Sequence, residues 1–220
     1  MSHLKVSEIY VSTQGESSYV GLPCVFVRLA GCPLRCSWCD TPAALTTKGA
    51  KKKTIQEVVE EVLSYGIRLV EVTGGEPLAQ KECIPLLETL IKSGLDVLLE
   101  TSGRFSLEHV PNAVRAIVDV KCPDSTEALN REYQNKILES LRHLDHVEIK
   151  MVIASRTDYE FAKKFLPYLD SKNIKEILFS CAWGLISPSS LVSWVLEDKL
   201  PVRVQLQQHK YIWGPEVSGV

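Results

Sequence analysis

Short runs of aliphatic and β-branched residues alternate along this chain with longer segments whose apolar residues recur at helical spacing. The first clear run predicts a strand at 23–29, and the periodicity that follows predicts a helix at 54–65. Thr54 and Glu57 have the spacing of a capping box, so we expect that helix to begin at this pair. The pattern therefore indicates an α/β protein.

The same alternation continues toward the C-terminus. It predicts strands at 69–73, 96–100, 115–121, 146–153, 176–180 and 202–206, and helices at 82–93, 131–144, 158–169 and 189–197. Strands that alternate with helices are typical of a parallel sheet with right-handed crossovers. Six such units are fewer than a closed barrel needs, so we expect a single domain over 1–220, built as an incomplete (β/α)6 barrel with an additional C-terminal strand.

Two segments fall outside this pattern. Residues 13–21 are polar and lie before the first predicted strand, and 49–53 are expected to form a solvated basic loop. In open or closed barrels of parallel strands the working site lies at the carboxyl ends of the strands. We therefore expect the functional residues just after the strands.

Composition excludes several classes of function. Hydrophobic residues make up 45% and charged residues 24% of the 220, which are values of an ordinary globular domain. The net charge of −2 provides no basic field for nucleic acid or a membrane surface. No stretch approaches the roughly 20 apolar residues that span a bilayer, and 1–10 lack the apolar run of a signal peptide. We expect no nucleic-acid or membrane partner, and a cytoplasmic location.

Three of the seven cysteines form a Cys-x3-Cys-x2-Cys motif directly after the first predicted strand, namely Cys32, Cys36 and Cys39. Three thiolates can bind three irons of a cubane cluster and leave the fourth open, whereas ferredoxin motifs supply four. Structural zinc needs four ligands, and no second cysteine pair or nearby histidine is present. The odd count argues against a disulfide framework. We expect the other four to pack in the core: Cys24, Cys83, Cys122 and Cys181.

This motif resembles that of the radical S-adenosylmethionine (SAM) superfamily, in which an aromatic residue precedes the last cysteine, as Trp38 does here. Residues 73–77, TGGEP, resemble the GGEP motif of the same superfamily. The resemblance implies a partial barrel, one [4Fe–4S] cluster on the three cysteines and SAM on the open iron. It implies SAM contacts at Trp38, Cys39, Asp40, Gly75, Glu76, Thr101, Ser102, Lys121, Ser180, Cys181, Ala182 and Trp183. Helix capping is the alternative role for Thr101, Ser102 and Lys121.

Other segments resemble one family within this superfamily, the 7-carboxy-7-deazaguanine synthases. They are IYVSTQGE at 9–16, the frame from 21 to 40 with its following threonine, and Gln-x-His-Lys at 207–210. The resemblance implies a carbon–nitrogen lyase of queuosine (7-deazapurine) biosynthesis. Its substrate would be 6-carboxy-5,6,7,8-tetrahydropterin and its product 7-carboxy-7-deazaguanine, formed with loss of ammonia by 5′-deoxyadenosyl radical hydrogen abstraction and ring contraction.

The same resemblance implies Mg²⁺ bound by Thr41, a flavodoxin or ferredoxin as reductant, and a homodimer. A helix-capping role is the alternative for Thr41. The implied substrate residues are Thr13, Gln14, Gly15, Glu16, Arg28, Thr73 and His209. A pterin presents a flat donor–acceptor edge and a carboxylate, which suit an amide such as Gln14 and a guanidinium such as Arg28. A surface ion pair is the alternative for Arg28, and a buried structural role for His209.

Some positions depart from the family pattern. Ser17 and Ser18 stand where glycine is common, and 121–123 and 180–182 differ from the usual Ser-Pro-Lys and Gln-Pro. One rival interpretation is an activating enzyme of a glycyl radical enzyme, which shares the cysteine motif and the Asp-Val-Lys of 119–121 but lacks Gln-Gly-Glu. Another is an iron–sulfur electron carrier, which would not need TGGEP.

Overall fold

The computed structural model describes residues 3–128, 130–169 and 172–219. In this part of the chain nine strands form one open sheet, in the order β3-β1-β2-β4-β5-β6-β7-β8-β9. The strands are β1 (Leu4–Thr13), β2 (Pro23–Leu29), β3 (Lys51–Lys53), β4 (Leu69–Gly74), β5 (Asp96–Thr101), β6 (Arg115–Asp119), β7 (His146–Ile153), β8 (Ile174–Cys181) and β9 (Arg203–Gln205).

From β2 to β9 every neighbouring pair of strands is parallel. The sheet does not close on itself, which confirms the expected incomplete barrel and its additional C-terminal strand, β9. The helices are α1 (Ile55–Ser64), α2 (Cys83–Lys92), α3 (Arg131–Ser140), α4 (Arg156–Phe165), α5 (Pro188–Asp198) and α6 (Gln208–Ile212).

Local sequence signals explain where several helices begin and end. The capping box is present, because Glu57 N donates to Thr54 Oγ1 at 3.2 Å and Thr54 N donates to the Glu57 carboxylate at 2.6 Å. Helix α4 begins earlier than expected because Ser155 caps it. It ends in a 3-10 turn that contains Pro167, which has no N–H to continue the helix. Helix α3 ends at Ser140, earlier than the predicted 144.

Three elements were not predicted. Residues 51–53, expected in a loop, form the edge strand β3, which pairs antiparallel with β1. Strand β1 itself pairs antiparallel with β2. The sheet is therefore mixed, whereas a wholly parallel sheet was expected. Exposed lysines suit an edge strand because they disfavour pairing with another chain. Helix α6 spans only five residues, too few for a periodic signal.

The two faces of the sheet bury different side chains. On one face alternate strand residues pack with all the longer helices in the main core, which contains for example Val72, Ile149 and Leu87. The opposite face carries a smaller apolar cluster of Cys24, Phe26, Leu69, Leu98 and Ile117. Toward the carboxyl ends of the parallel strands, the face opposite the helices becomes polar and charged. The candidate site lies in this part of the face.

The cysteines outside the motif follow the sequence expectation in part. Cys24, Cys83 and Cys122 are buried, whereas Cys181 is only partly buried. No helix within the described residues has the length and apolar character needed to cross a membrane.

Candidate active site

The three motif cysteines lie on the loop that follows β2. Backbone bonds fasten this loop to the 3-10 turn at Pro42–Ala44: Gly31 N donates to Ala44 O at 2.7 Å and Cys32 N donates to Leu45 O at 3.1 Å. The thiols of Cys32, Cys36 and Cys39 are free and partly exposed. Trp38 is half-buried between the last two cysteines. The loop thus holds three thiols at the carboxyl end of β2.

The glycine-rich segment after β4 packs directly on this loop. Gly75 N donates to Leu29 O at 2.9 Å, and Glu76 N donates to Gly31 O at 3.0 Å. A Cβ at position 75 would lie 2.6 Å from Ala44 O and 2.8 Å from Cys32 Cβ. Only glycine permits this approach. The close packing of the two motifs fits a shared site for a cluster and its ligand.

Three cysteine thiols are the number that a cubane cluster with one open iron needs, since each thiolate binds a different iron. Burial raises the pKa of the Cys32 and Cys36 thiols. Loading them with iron would therefore release protons.

Glu76 joins the ends of two neighbouring strands. Its fully buried carboxylate accepts hydrogen bonds from Thr101 Oγ1 at 2.8 Å, from Ser102 N at 2.8 Å and from Ser102 Oγ. Leu78 N adds a fourth bond at 3.0 Å. These bonds place Thr101 and Ser102, two predicted SAM contacts, beside the glycine-rich segment. The side chains do not cap a helix, since β5 is followed by a loop.

Two other strand ends carry polar atoms that lack partners. Lys121 forms a 2.7 Å ion pair with Asp119 at the end of β6. Burial opposes the charge on Lys121, yet Asp119 holds the pKa of this ammonium above its usual value. Within the described residues, the other Asp119 oxygen, Oδ1, and the buried Ser180 Oγ have no hydrogen-bond partner. Unpaired buried oxygens at this edge fit contact with a polar ligand.

The segment after β8 supplies the remaining predicted SAM contacts. Ala182 N donates to Ile153 O at 2.9 Å, which continues the pairing of β7 and β8 beyond Cys181. Trp183 is partly exposed and lies edge-on to Tyr211, with ring centroids 5.1 Å apart. Cys181, Trp183 and Tyr211 border a groove between the end of β8 and α6.

The predicted substrate segment enters the polar face from an unexpected direction. Because β1 is antiparallel to β2, Thr13 pairs with Pro23 at the amino end of β2, away from the cysteines. Gln14 Nε2 donates to Glu71, and Glu16 pairs with Lys150. Gln14, Gly15 and Glu16 follow the carboxyl end of β1, but because β1 is antiparallel to β2 they start from the edge of the sheet opposite the cysteine loop.

The next two residues anchor this segment. Ser17 N donates to Gln205 Oε1 at 2.8 Å, and Ser18 donates to the buried carboxylate of Glu148 through both its N–H and its hydroxyl. Ser17 has a φ of 62°, in the left-handed region that glycine adopts most readily. Glycine would adopt this conformation with less strain than Ser17 does.

Lys150 organises the charged part of the face. Its ammonium donates to Glu100 Oε1 at 2.9 Å and pairs with Glu16, while Asp119 is its register neighbour. Burial opposes the positive charge, but the carboxylates hold the pKa of Lys150 well above its usual value. Burial likewise opposes ionisation of Glu100, yet Lys150 lowers its pKa. Burial, followed by repulsion from Glu100 and Glu16, raises the pKa of Glu71 well above the usual range.

Arg28 and Thr73 complete the strand residues of the predicted substrate set. Arg28 donates from Nε to Glu8 at 2.7 Å and from Nη2 to the Tyr10 hydroxyl at 2.6 Å. The alternative of an ion pair is thus observed, although the pair lies on the site face and Arg28 is mostly buried. Thr73 Oγ1 donates to Glu100 Oε2 at 3.1 Å. Burial raises the pKa of Tyr10 to about 12.

The C-terminal segment closes the site. Gln208 N donates to Gly15 O at 2.9 Å, and His209 packs so tightly on Gly15 that a Cβ there would clash with its ring. Burial lowers the pKa of His209. Thr41 precedes the 3-10 turn but makes no capping bond through its side chain, and its hydroxyl donates to Asp40 at 3.2 Å. The capping alternative for Thr41 is therefore not observed.

Sequence reasoning missed several residues of this face. They are Glu71, Glu100, Glu148, Lys150, Gln205, Gln207 and Lys210, all placed at or next to the predicted substrate segment or the cysteine loop. A signal was available for the strand residues, because charged side chains at alternate positions interrupt otherwise apolar strands such as LVEVTG and HVEIKMVI. Such residues must find partners on the same face.

Comparison with known proteins places the chain. The model of the radical SAM superfamily matches residues 27–175. The chain is 47% identical to the 7-carboxy-7-deazaguanine synthase of Koribacter versatilis, over 99% of this chain and 100% of that one. It is 42% identical to the synthase of Chlorobaculum tepidum, over 99% and 97% of the two chains. This chain belongs to the 7-carboxy-7-deazaguanine synthase family of the radical SAM superfamily.

Solved structures show how far the fold is shared. The crystal structure of QueE from Escherichia coli aligns with a TM-score of 0.73 at 23% identity, over 94% of this chain and 95% of that chain. Archaeal TYW1 aligns with a TM-score of 0.57 at 12% identity, over 79% and 70%. The partial barrel predicted from the alternation of strands and helices is thereby confirmed.

Proposed function

We propose that this protein is a radical SAM lyase that converts 6-carboxy-5,6,7,8-tetrahydropterin to 7-carboxy-7-deazaguanine, with loss of ammonia, in queuosine biosynthesis. The observation that carries the proposal is the joint placement of three elements on one face of the sheet. They are the cysteine loop, the glycine-rich segment packed on it at Gly75, and the Gln14–Glu16 segment held by Glu71 and Lys150. Family membership along the full chain supports it.

Cys32, Cys36 and Cys39 would hold the [4Fe–4S] cluster, which with SAM would supply the 5′-deoxyadenosyl radical chemistry that abstracts hydrogen from the substrate. The backbone at Gly75, with Glu76 behind it, would receive the methionine end of SAM, and the lack of a side chain at Gly75 lets this segment lie directly on the cysteine loop. The other SAM contacts follow the strand ends and the cysteine loop. They are Trp38, Asp40, Thr101, Ser102, Lys121, Ser180, Cys181, Ala182 and Trp183.

The substrate segment, residues 13–16, forms hydrogen bonds with the polar edge of the pterin. Gln14 and Glu16 are each fixed by a buried partner, so their remaining lone pairs and N–H groups present one preformed pattern. Backbone at Thr13 and Gly15 borders the same space, with Arg28, Thr73 and His209 around it. Prior fixation by buried partners reduces the entropy lost when substrate binds.

The pKa values of two carboxyl groups on this face are shifted in opposite directions. Burial and its acidic neighbours raise the pKa of Glu71, whereas Lys150 lowers that of Glu100. Pairs of titratable groups with pKa values pushed apart supply an acid and a base within one site. Release of ammonia and aromatisation require protons to move, and these two carboxyl groups are placed to hold them.

Thr41 is proposed to bind Mg²⁺ near the substrate carboxylate. Its hydroxyl is not used for capping, and the Asp40 carboxylate beside it supplies negative charge. Hard oxygen ligands with water and substrate completing the shell suit this ion.

The working assembly is proposed to be a cytoplasmic homodimer, each chain a single radical SAM domain over 1–220, reduced by a flavodoxin or ferredoxin. Residues 1, 2, 129, 170, 171 and 220 of that domain lie outside the described residues. Neither nucleic acid nor membrane takes part.

The deciding experiment uses the anaerobically reconstituted, reduced protein with SAM, Mg²⁺ and 6-carboxytetrahydropterin, and follows products by mass spectrometry. We expect 7-carboxy-7-deazaguanine from the wild type and none from Cys36→Ala. Cys83→Ala is the matched control, because Cys83 is buried in the main core. This variant should form the product as the wild type does. Formation of 5′-deoxyadenosine while the pterin survives would assign another substrate, and a requirement for a protein partner would favour a glycyl radical activating enzyme.

A further inference from the structure

The C-terminal motif Gln-x-His-Lys contributes two side chains that no step above uses. Gln207 and Lys210 are both buried, at 9% and 8% exposure, although each is strongly polar. Buried polar side chains need partners, and the identity of those partners shows what the side chains do.

The amide of Gln207 bridges the two halves of the site. Its Nε2 donates to Glu16 at 2.8 Å and to Asp40 at 3.2 Å, while its Oε1 accepts from Lys210 Nζ at 2.7 Å. Both N–H groups and the carbonyl are therefore engaged at once. Glu16 belongs to the substrate segment, and Asp40 follows the last cluster cysteine, Cys39.

Lys210 makes the second half of the bridge. Its ammonium pairs with the same Asp40 oxygen at 3.2 Å and lies 5.9 Å from the centre of the Trp183 ring. The backbone continues the link, because Gln208 N donates to Gly15 O and Gln205 accepts from Ser17 N. One short segment thus contacts the substrate loop, the cysteine loop and the strand end of β8.

We propose that Gln207 and Lys210 are positioning residues that hold Glu16 and Asp40 in fixed relation, so that α6 couples the substrate segment to the cysteine loop. The inference rests on the proposed function for the identity of the substrate, whereas the bridge itself follows from the contacts. Neither side chain is assigned to touch SAM or the pterin.

The most informative variant is Gln207→Glu, which keeps the shape but replaces the two donors with a third carboxylate facing Glu16 and Asp40. We expect the KM for the pterin to rise about tenfold to a hundredfold, as for the loss of hydrogen bonds to charged groups. We also expect more 5′-deoxyadenosine per product, because the substrate segment is no longer held in register with the cysteine loop. Gln208→Ala, at the exposed first residue of α6, keeps the backbone bond to Gly15, so it is the control and should match wild type.

Hydrogen–deuterium exchange of the protein without ligands provides a readout independent of turnover. In Gln207→Glu, exchange should increase in both 14–18 and 40–45, while that of β4 and β5 stays unchanged. Lys210→Met should give the same pattern, and Lys210→Arg should restore it. If Gln207→Glu does not fold, the KM and exchange of Gln207→Met and Lys210→Met are compared with those of Gln208→Ala instead.

Two outcomes would overturn the proposal: a KM and exchange pattern equal to those of Gln208→Ala, or increased exchange in only one of the two segments. Failure of the proposed function is recognised separately, since the wild type itself would then make no 7-carboxy-7-deazaguanine. The exchange experiment tests the bridge in either case.

Discussion

Lys150 of β7 donates a 2.9 Å hydrogen bond to Glu100 of β5, although β6 lies between these strands in the sheet. The same ammonium pairs with Glu16, which arrives from the far end of β1. A single buried cation thus connects the carboxyl ends of the parallel strands with the segment that enters from their amino ends.

Replacing this cation should be costly. Lys150→Met leaves Glu16 and Glu100 buried without their partner, and breaking a buried ion pair from one side typically costs about 3–5 kcal/mol. Urea unfolding at pH 7.5 checks the loss. Lys175→Met, on an exposed lysine, is the control and should change stability by less than about 0.5 kcal/mol. Equal stability of the two variants would mean that Lys150 does not neutralise the charges of Glu16 and Glu100.

Glu71 predicts a pH dependence with a definite sign. Its native pKa is raised, first by burial and then by Glu100 and Glu16, so the native state binds a proton that the unfolded chain has lost above about pH 4.3. Stability therefore falls as the pH rises from there toward the native pKa of Glu71.

Glu71→Gln keeps the shape and an acceptor for Gln14 but removes this titration. Relative to wild type, the variant should gain up to about 1.4 kcal/mol for each pH unit across the window. Chemical unfolding of both proteins at pH 5, 6 and 7 measures the difference. A difference independent of pH would show that Glu71 ionises normally.

The close packing at Gly75 predicts that a larger residue there reduces the amount of iron bound per chain. Gly75→Ala places a Cβ 2.6 Å from two carbonyl oxygens and 2.8 Å from Cys32 Cβ, so the cysteine loop must shift. We expect a destabilisation of about 1–3 kcal/mol from overpacking and less iron bound per chain after reconstitution. Gly94→Ala has no atom within 4 Å of its new Cβ, so it is the control for iron content: its φ of 80° makes it destabilising too, but it should bind iron like wild type. Full iron content in Gly75→Ala would contradict the close fit.

Thr41 predicts a change in magnesium dependence. Thr41→Val removes the hydroxyl while retaining a β-branched side chain, so the Mg²⁺ concentration for half-maximal product formation should rise about tenfold or more. Product formation is titrated with Mg²⁺ at saturating SAM. Thr46→Val, an exposed threonine on the same loop, serves as the comparison. An unchanged titration would place the ion elsewhere.

The sequence was informative wherever a signal is local. Periodicity identified every parallel strand and the five longer helices, because alternate burial on a sheet and one buried face on a helix leave a pattern within a few residues. The short elements β3 and α6 escaped, since three lysines and a five-residue helix carry no such pattern. Predicted boundaries failed where a cap or proline decided them, as at Ser155 and Pro167.

The amino-acid sequence alone indicated the chemistry of this protein, because the motif of Cys32, Cys36 and Cys39 resembles that of the radical SAM superfamily before any fold is known. It also determined the partial barrel, through the serial alternation of strands and helices. Only the tertiary structure decided the partners of the charged strand residues, the entry of Gln14–Glu16 from the amino ends, and the bridge from Gln207 to Asp40. These contacts join residues far apart in the chain, and their energies depend on burial and distance, which no local pattern of residues records.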